Sequence, residues 1–200
     1  MAKKRVLVVV DYQKDFVDGA LGFESAKNLD KGISELMNQY LADENGVVIC
    51  TFDTHEENYM NTQEGRKLPV AHCYRGEPGW ELYGEVYNVQ QANKDKVICI
   101  EKPTFGSLDL VGELRRLNDY PKDRDKFNHG VDYTFISNDI ESITFVGVVT
   151  NMCVISNAVI AKATCPEAEI IIKKDLVDSF DKELHQKALD VMASMQMAIE

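Results

Sequence analysis

Short runs that are apolar at nearly every position alternate with segments whose apolar residues recur every three or four positions. "RVLVVVD" (5–11), "GVVICTFD" (46–53), "KVICIEK" (96–102), "SITFVGVVT" (142–150) and "AEIIIKKD" (168–175) are rich in Val and Ile. They read as strands covered on both faces. Leu29, Ile33, Leu36, Met37, Tyr40 and Leu41 form one helical stripe, and Leu110, Val111, Leu114 and Leu117 another. Residues 152–164 continue the helical period. Phe180, Leu184, Ala188 and Met192 mark a last helix, opened by Ser179 with Asp181 and Glu183 in its first turn. Strand–helix alternation predicts an α/β fold with a parallel sheet. The stretch 54–95 is long and weakly periodic, as functional loops often are.

The strand ends matter most, because open parallel sheets place ligands beyond the carboxyl ends of their strands. Asp11 ends the first strand, Asp53 the second and Lys102 the third, while Cys153 follows the fourth at the strand-to-helix turn. Viewed alone, a cysteine there is ordinarily packing, and an aspartate ending a strand is commonly a cap. Together on one rim they can do chemistry. The first turn of a helix and a neighbouring Lys102 would depress the Cys153 thiol pKa, and Asp11 could accept its proton.

A second set lies in "DTHEENYMNTQE" and "LPVAHC". Asp53 and His55 are two apart at a strand end, and Glu64 and His72 follow in the loop. Carboxylate and imidazole ligands suit zinc, iron or manganese. The plainer alternative makes His55 a surface histidine in an acidic loop and His72 a turn residue. His129 has no evident partner, and His185 on the last helix reads as structural.

Composition narrows the classes. Two hundred residues suit a single domain over 1–200, and 44% apolar with 28% charged residues is an ordinary globular mix. A net charge of −11 argues against a nucleic-acid surface. No apolar run is long enough for a membrane span, and the one after "MAKKR" is short for a signal peptide, so a cytoplasmic protein is expected. The five cysteines show no CxxC spacing, and free thiols are expected. Cys50 and Cys99, inside strand-like runs, read as small hydrophobes.

"VVVDYQKDF" (8–16), "DTHEEN" (53–58), "LPVAHCYRGEPGWEL" (68–82), "EKPTFGS" (101–107) and "GVVTNMCV" (147–154) occur in this order along the chain. In them the sequence resembles the isochorismatase-like cysteine hydrolases, with metal-associated segments similar to those of nicotinamidases. The resemblance implies a three-layer α/β/α sandwich around a mainly parallel sheet, and a triad of Asp11, Lys102 and Cys153. It implies a divalent metal, zinc first with iron or manganese also suited, held by Asp53, His55 and His72, with Glu64 at the place of a fourth ligand. It also implies a cis peptide between Val149 and Thr150, an oxyanion hole from the Val149 and Cys153 N–H groups, and Phe16 and Phe105 against the substrate. The activity implied is hydrolysis of a small amide such as nicotinamide by a homo-oligomer. Val70 and Ala71 precede His72 where nicotinamidases typically show Pro-Pro-His, and Phe105 stands where they often carry tyrosine; both differences bear on the substrate. The other readings are hydrolysis of a vinyl ether, as isochorismatases perform, and a thiol sensor or binding module. A sensor would need a resolving cysteine nearer than Cys165.

Overall fold

The computed structural model describes residues 2–118 and 139–200; His129 lies outside them. Six parallel strands form one sheet in the order β3-β2-β1-β4-β5-β6. They are β1 (Lys4–Val10), β2 (Gly46–Asp53), β3 (Val97–Lys102), β4 (Ile140–Val148), β5 (Glu169–Asp178) and β6 (Ala198–Ile199). The helices are α1 (Lys14–Val17), α2 (Asp30–Ala42), α3 (Gln63–Lys67), α4 (Gly84–Ala92), α5 (Leu108–Leu117), α6 (Ile155–Thr164) and α7 (Lys182–Ser194).

Alternation along β1 shows why the fold has three layers. Val6, Val8 and Val10 join a core with Leu110 and Leu114 of α5, Ala158 of α6 and Met192 of α7. Leu7 and Val9 face the other way, onto Ile33 and Met37 of α2 and Val86 of α4. Successive strand residues point to opposite faces, so a central strand must be apolar throughout. At the edge, β3 departs from that expectation. Cys99 and Glu101 are exposed there, so Cys99 is not the enclosed hydrophobe its apolar run suggests.

The order reverses between β1 and β4, the kind of switch point where open sheets bind ligands. Just before the end of β4, Gly147 has a φ of +105°, and a Cβ there would stand 2.1 Å from the Val10 carbonyl oxygen. Only glycine permits that approach. The chain then passes through a cis peptide between Val148 and Val149, one residue earlier than the expected Val149–Thr150 bond. A π-helical turn, Thr150–Val154, precedes α6, so the expected helix from 152 begins in a wider turn that holds Cys153.

The last helix is capped by Asp181, whose side chain accepts from the Glu183 and Leu184 N–H groups, rather than by Ser179. The Ser179 hydroxyl donates to Asn151 Oδ1 at 2.6 Å and accepts from the Asp181 N–H at 3.3 Å, one residue short of the helix. Among the described residues, no helix is long and apolar enough to cross a membrane.

Candidate active site

Four neighbouring strands bring four candidate side chains to one rim. Across the sheet they run Lys102, Asp53, Asp11 and Cys153, from β3, β2, β1 and the turn after β4. All four are buried. Lys102 Nζ stands 2.6 Å from Asp11 Oδ2, 3.4 Å from Asp53 Oδ1 and 3.6 Å from Cys153 Sγ, and donates to the Thr104 carbonyl at 3.0 Å.

Asp11 takes its direction from a φ of +45°, a conformation that aspartate tolerates better than most residues. The Thr51 hydroxyl donates to its Oδ1 at 2.7 Å. Burial pushes the Asp11 carboxyl above its ordinary value, the Lys102 charge opposes this, and Asp53 reinforces it. Burial disfavours the Lys102 ammonium, but the Asp11 and Asp53 carboxylates outweigh it and keep the lysine charged.

The thiol corrects an expectation. Burial raises the Cys153 pKa well above its ordinary value; Lys102 opposes the rise, and Asp11 and Asp53 add to it. Dehydration therefore outweighs the single nearby cation, and the resting group is a thiol.

The metal-like set adjoins this cluster through Asp53. Its Oδ2 lies 3.0 Å from His55 Nε2 and 3.4 Å from His72 Nε2. One ligand atom from each of Asp53, His55 and His72 lies within 4.8 Å of the others, and all three residues are buried. His72 Nδ1 faces the Val70 carbonyl at 2.8 Å. A carbonyl only accepts, so Nδ1 carries hydrogen and Nε2 is turned to the cluster, the second-shell arrangement that orients metal-binding histidines. His55 Nε2 is buried without a well-directed hydrogen-bond partner. A buried nitrogen orphaned beside a carboxylate and a second imidazole fits a divalent cation. Burial would raise Asp53, but His55, His72 and Lys102 hold it below the usual carboxylate range. Glu64, on α3, stands farther out, with Oε1 3.9 Å from His55 Nε2.

Above the rim, Phe16, Leu68, Phe105, Met152 and Phe180 wall a cavity of about 380 Å³. Val149, Asp53 and Cys153 also line it, so the nucleophile candidate, both residues of the expected oxyanion hole and both expected aromatics meet at one space. The Phe16 ring packs edge-on to His72, with centroids 5.5 Å apart.

Several residues that hold the site are not evident from sequence. Gln13 is fully buried; its amide donates to the Asp53 and Trp80 carbonyls and accepts from the Asp53 N–H at 2.8 Å. The Tyr59 ring lies 4.2 Å from that of His55 and 5.0 Å from that of His72. His185 Nδ1 lies 2.9 Å from the Thr150 hydroxyl, so that histidine supports the turn before Cys153. Cys165, at the end of α6, is buried in the core.

The chain matches the isochorismatase domain family over residues 5–199. No curated protein sequence matches it. Among solved structures it is similar to a nicotinamidase from Bacillus subtilis, at 24% identity and a TM-score of 0.79, over 98% of each chain. It is also similar to a pyrazinamidase/nicotinamidase from Streptococcus mutans, at 23% identity and a TM-score of 0.77, over 98% of this chain and 100% of the other. A third is the pyrazinamidase of Pyrococcus horikoshii in complex with zinc, at 22% identity and a TM-score of 0.75, over 98% of each chain. These likenesses agree with the sheet order and its switch point in showing the fold. With the family match spanning nearly every residue, the chain belongs to the isochorismatase family.

Proposed function

We propose that this chain is a metal-dependent cysteine amidohydrolase that cleaves a small carboxamide to the acid and ammonia, with nicotinamide the first substrate to test. The observation that carries the reading is Lys102 Nζ in contact with Asp11, Cys153 and Asp53 at once, beside an Asp–His–His set.

Asp53, His55 and His72 would hold the cation, with Glu64 as an outer candidate. A bound divalent metal supplies a Lewis acid that orients a substrate lone pair. The chain's own residues carry the covalent steps. Asp11 takes the proton from the Cys153 thiol as Sγ attacks the amide carbon. Negative charge forms on the carbonyl oxygen, where the Val149 and Cys153 N–H groups would receive it. Lys102 remains charged and balances the carboxylates. The tetrahedral intermediate collapses, Asp11 gives its proton to the departing nitrogen, and ammonia leaves a thioester. Water then attacks that thioester with Asp11 as base, releasing the acid and restoring the thiol.

Hydrolysis of a vinyl ether, the second reading, does not need a metal cluster, so the grouped Asp53, His55 and His72 favour the amidase. Ammonia release from nicotinamide and pyrazinamide, with wild type and Cys153→Ala in parallel, tests the reading. Equal release by both proteins overturns the nucleophile assignment, and full activity in metal-free protein overturns the metal.

A further inference from the structure

One turn after Cys153, on α6, lies Asn157, which is fully buried. Its Nδ2 donates to the Cys153 carbonyl at 2.8 Å and to the Phe105 carbonyl at 3.0 Å, and its Oδ1 accepts from the Ser107 N–H at 3.0 Å. Both amide hydrogens and the oxygen are engaged, so the side-chain orientation has one solution. The partners belong to two different parts of the site. Cys153 is the nucleophile candidate, whereas Phe105 and Ser107 lie in the loop between Lys102 at the end of β3 and α5.

That loop has a second close contact with the same helix. A Cβ on Gly106 would stand 2.7 Å from Ile160 Cδ1, one turn further along α6. Ser107 then caps α5, accepting from the Leu110 N–H at 3.2 Å. The loop backbone is thus held to α6, while the Phe105 ring, 40% exposed, forms part of the cavity wall. Ring and thiol face one space, and the Asn157 amide is bonded to the backbone behind both.

We propose that Asn157 is a positioning residue that fixes the gap between the Phe105 wall and the Cys153 thiol, and so selects the size of the group that reaches the sulfur. As a statement about substrates this rests on the amidohydrolase reading. As a statement about access to the thiol it does not. Asn157→Thr separates the two halves of the clamp: a helical threonine can return a hydrogen bond to the carbonyl four residues back, here Cys153, but is too short to hold Phe105 and Ser107. Asn157→Asp keeps the acceptor for Ser107 and loses both donors at neutral pH.

The test compares alkylation of Cys153 by iodoacetamide and by the bulkier iodoacetanilide in the full chain. Peptide mass mapping separates Cys153 from the exposed Cys99. We expect Asn157→Thr to change the ratio of the two rates by about fivefold or more, and Phe105→Ala to change it too. We expect the double variant to differ little from Phe105→Ala alone, because sites that act through one contact are not additive. Thermal unfolding of each variant gives the stability loss, which by itself would speed both reagents through opening, so the ratio is read well below each transition. A ratio unchanged in folded Asn157→Thr and Asn157→Asp, or effects additive with Phe105→Ala, overturns the proposal. Failure of both Asn157 variants to fold also overturns it, since the residue is then purely structural. Selective alkylation without hydrolysis of any amide would sink the amidohydrolase reading and leave the role of Asn157 intact.

Discussion

Lys102 Nζ and Asp53 Oδ1 lie 3.4 Å apart, and the other oxygen of that carboxylate faces both imidazoles. One aspartate therefore belongs to the cysteine cluster and to the metal-like set together. Charge placed at the histidines changes what Lys102 experiences, and through it Asp11 and Cys153.

The resting thiol follows from burial. Because the Cys153 pKa lies well above its ordinary value, alkylation of metal-free, substrate-free protein by iodoacetamide should keep rising with pH beyond pH ~9, without the neutral plateau of an activated thiolate. Lys102→Met should make the reaction slower still, since it removes the one contribution that lowers the pKa. A plateau below pH ~7 would contradict this.

Thr51→Val keeps the side-chain shape and removes the hydroxyl that donates to Asp11 Oδ1. The lost bond favoured the carboxylate, so the Asp11 pKa should rise further and the acidic limb of kcat/KM should move to higher pH. A buried acceptor is left unpaired, and a stability loss of about 1–3 kcal/mol in urea unfolding is expected.

Metal content distinguishes the inner and outer candidates. His72→Ala should purify with little bound metal under conditions that load the wild type, because it deletes one of three ligand atoms already grouped. Glu64→Gln, altered 3.9 Å from His55, should keep stoichiometric metal with weaker binding. Elemental analysis after dialysis against graded chelator gives the comparison, and equal loss in the two variants would make Glu64 an inner ligand.

Gln13→Leu should cost about 2–4 kcal/mol in unfolding, since the Asp53 N–H and two carbonyls lose their partner in the interior. It should also weaken metal binding by about 10–100-fold while leaving every proposed ligand in place. Urea unfolding and metal titration measure the two effects separately.

The strand ends explain how much of this site is legible in the sequence. Asp11, Asp53 and Lys102 each close an apolar run, and Cys153 sits where β4 gives way to a helix, so alternation and parallel-sheet geometry suffice to gather them. Gln13, Thr51, Tyr59 and Asn157 are different. Their roles lie in hydrogen bonds and ring contacts between distant stretches, and no local period encodes such contacts. The thiol direction fails for a related reason, because Lys102 is visible in the sequence whereas complete burial is not. Helix α4 is hidden as well: Val86 and Gln90 are its only buried residues, too few for an apolar stripe. β6, two residues long, carries no alternation to detect.

Edge strand β3 carries one more consequence. Asp53 pairs in register with Lys102, and the preceding Glu101 points outward to an ion pair with Arg75. A slip of one residue between β2 and β3 would exchange the two faces. An ammonium beside Asp53 and Asp11 would give way to a third carboxylate, and the lysine would be stranded in solvent. The polarity of the site thus depends on the registration of a strand with one neighbour among the described residues. Val97 and Ile100, buried in the two cores, hold that registration, and the exposed pairing of Arg75 with Glu101 adds little to it.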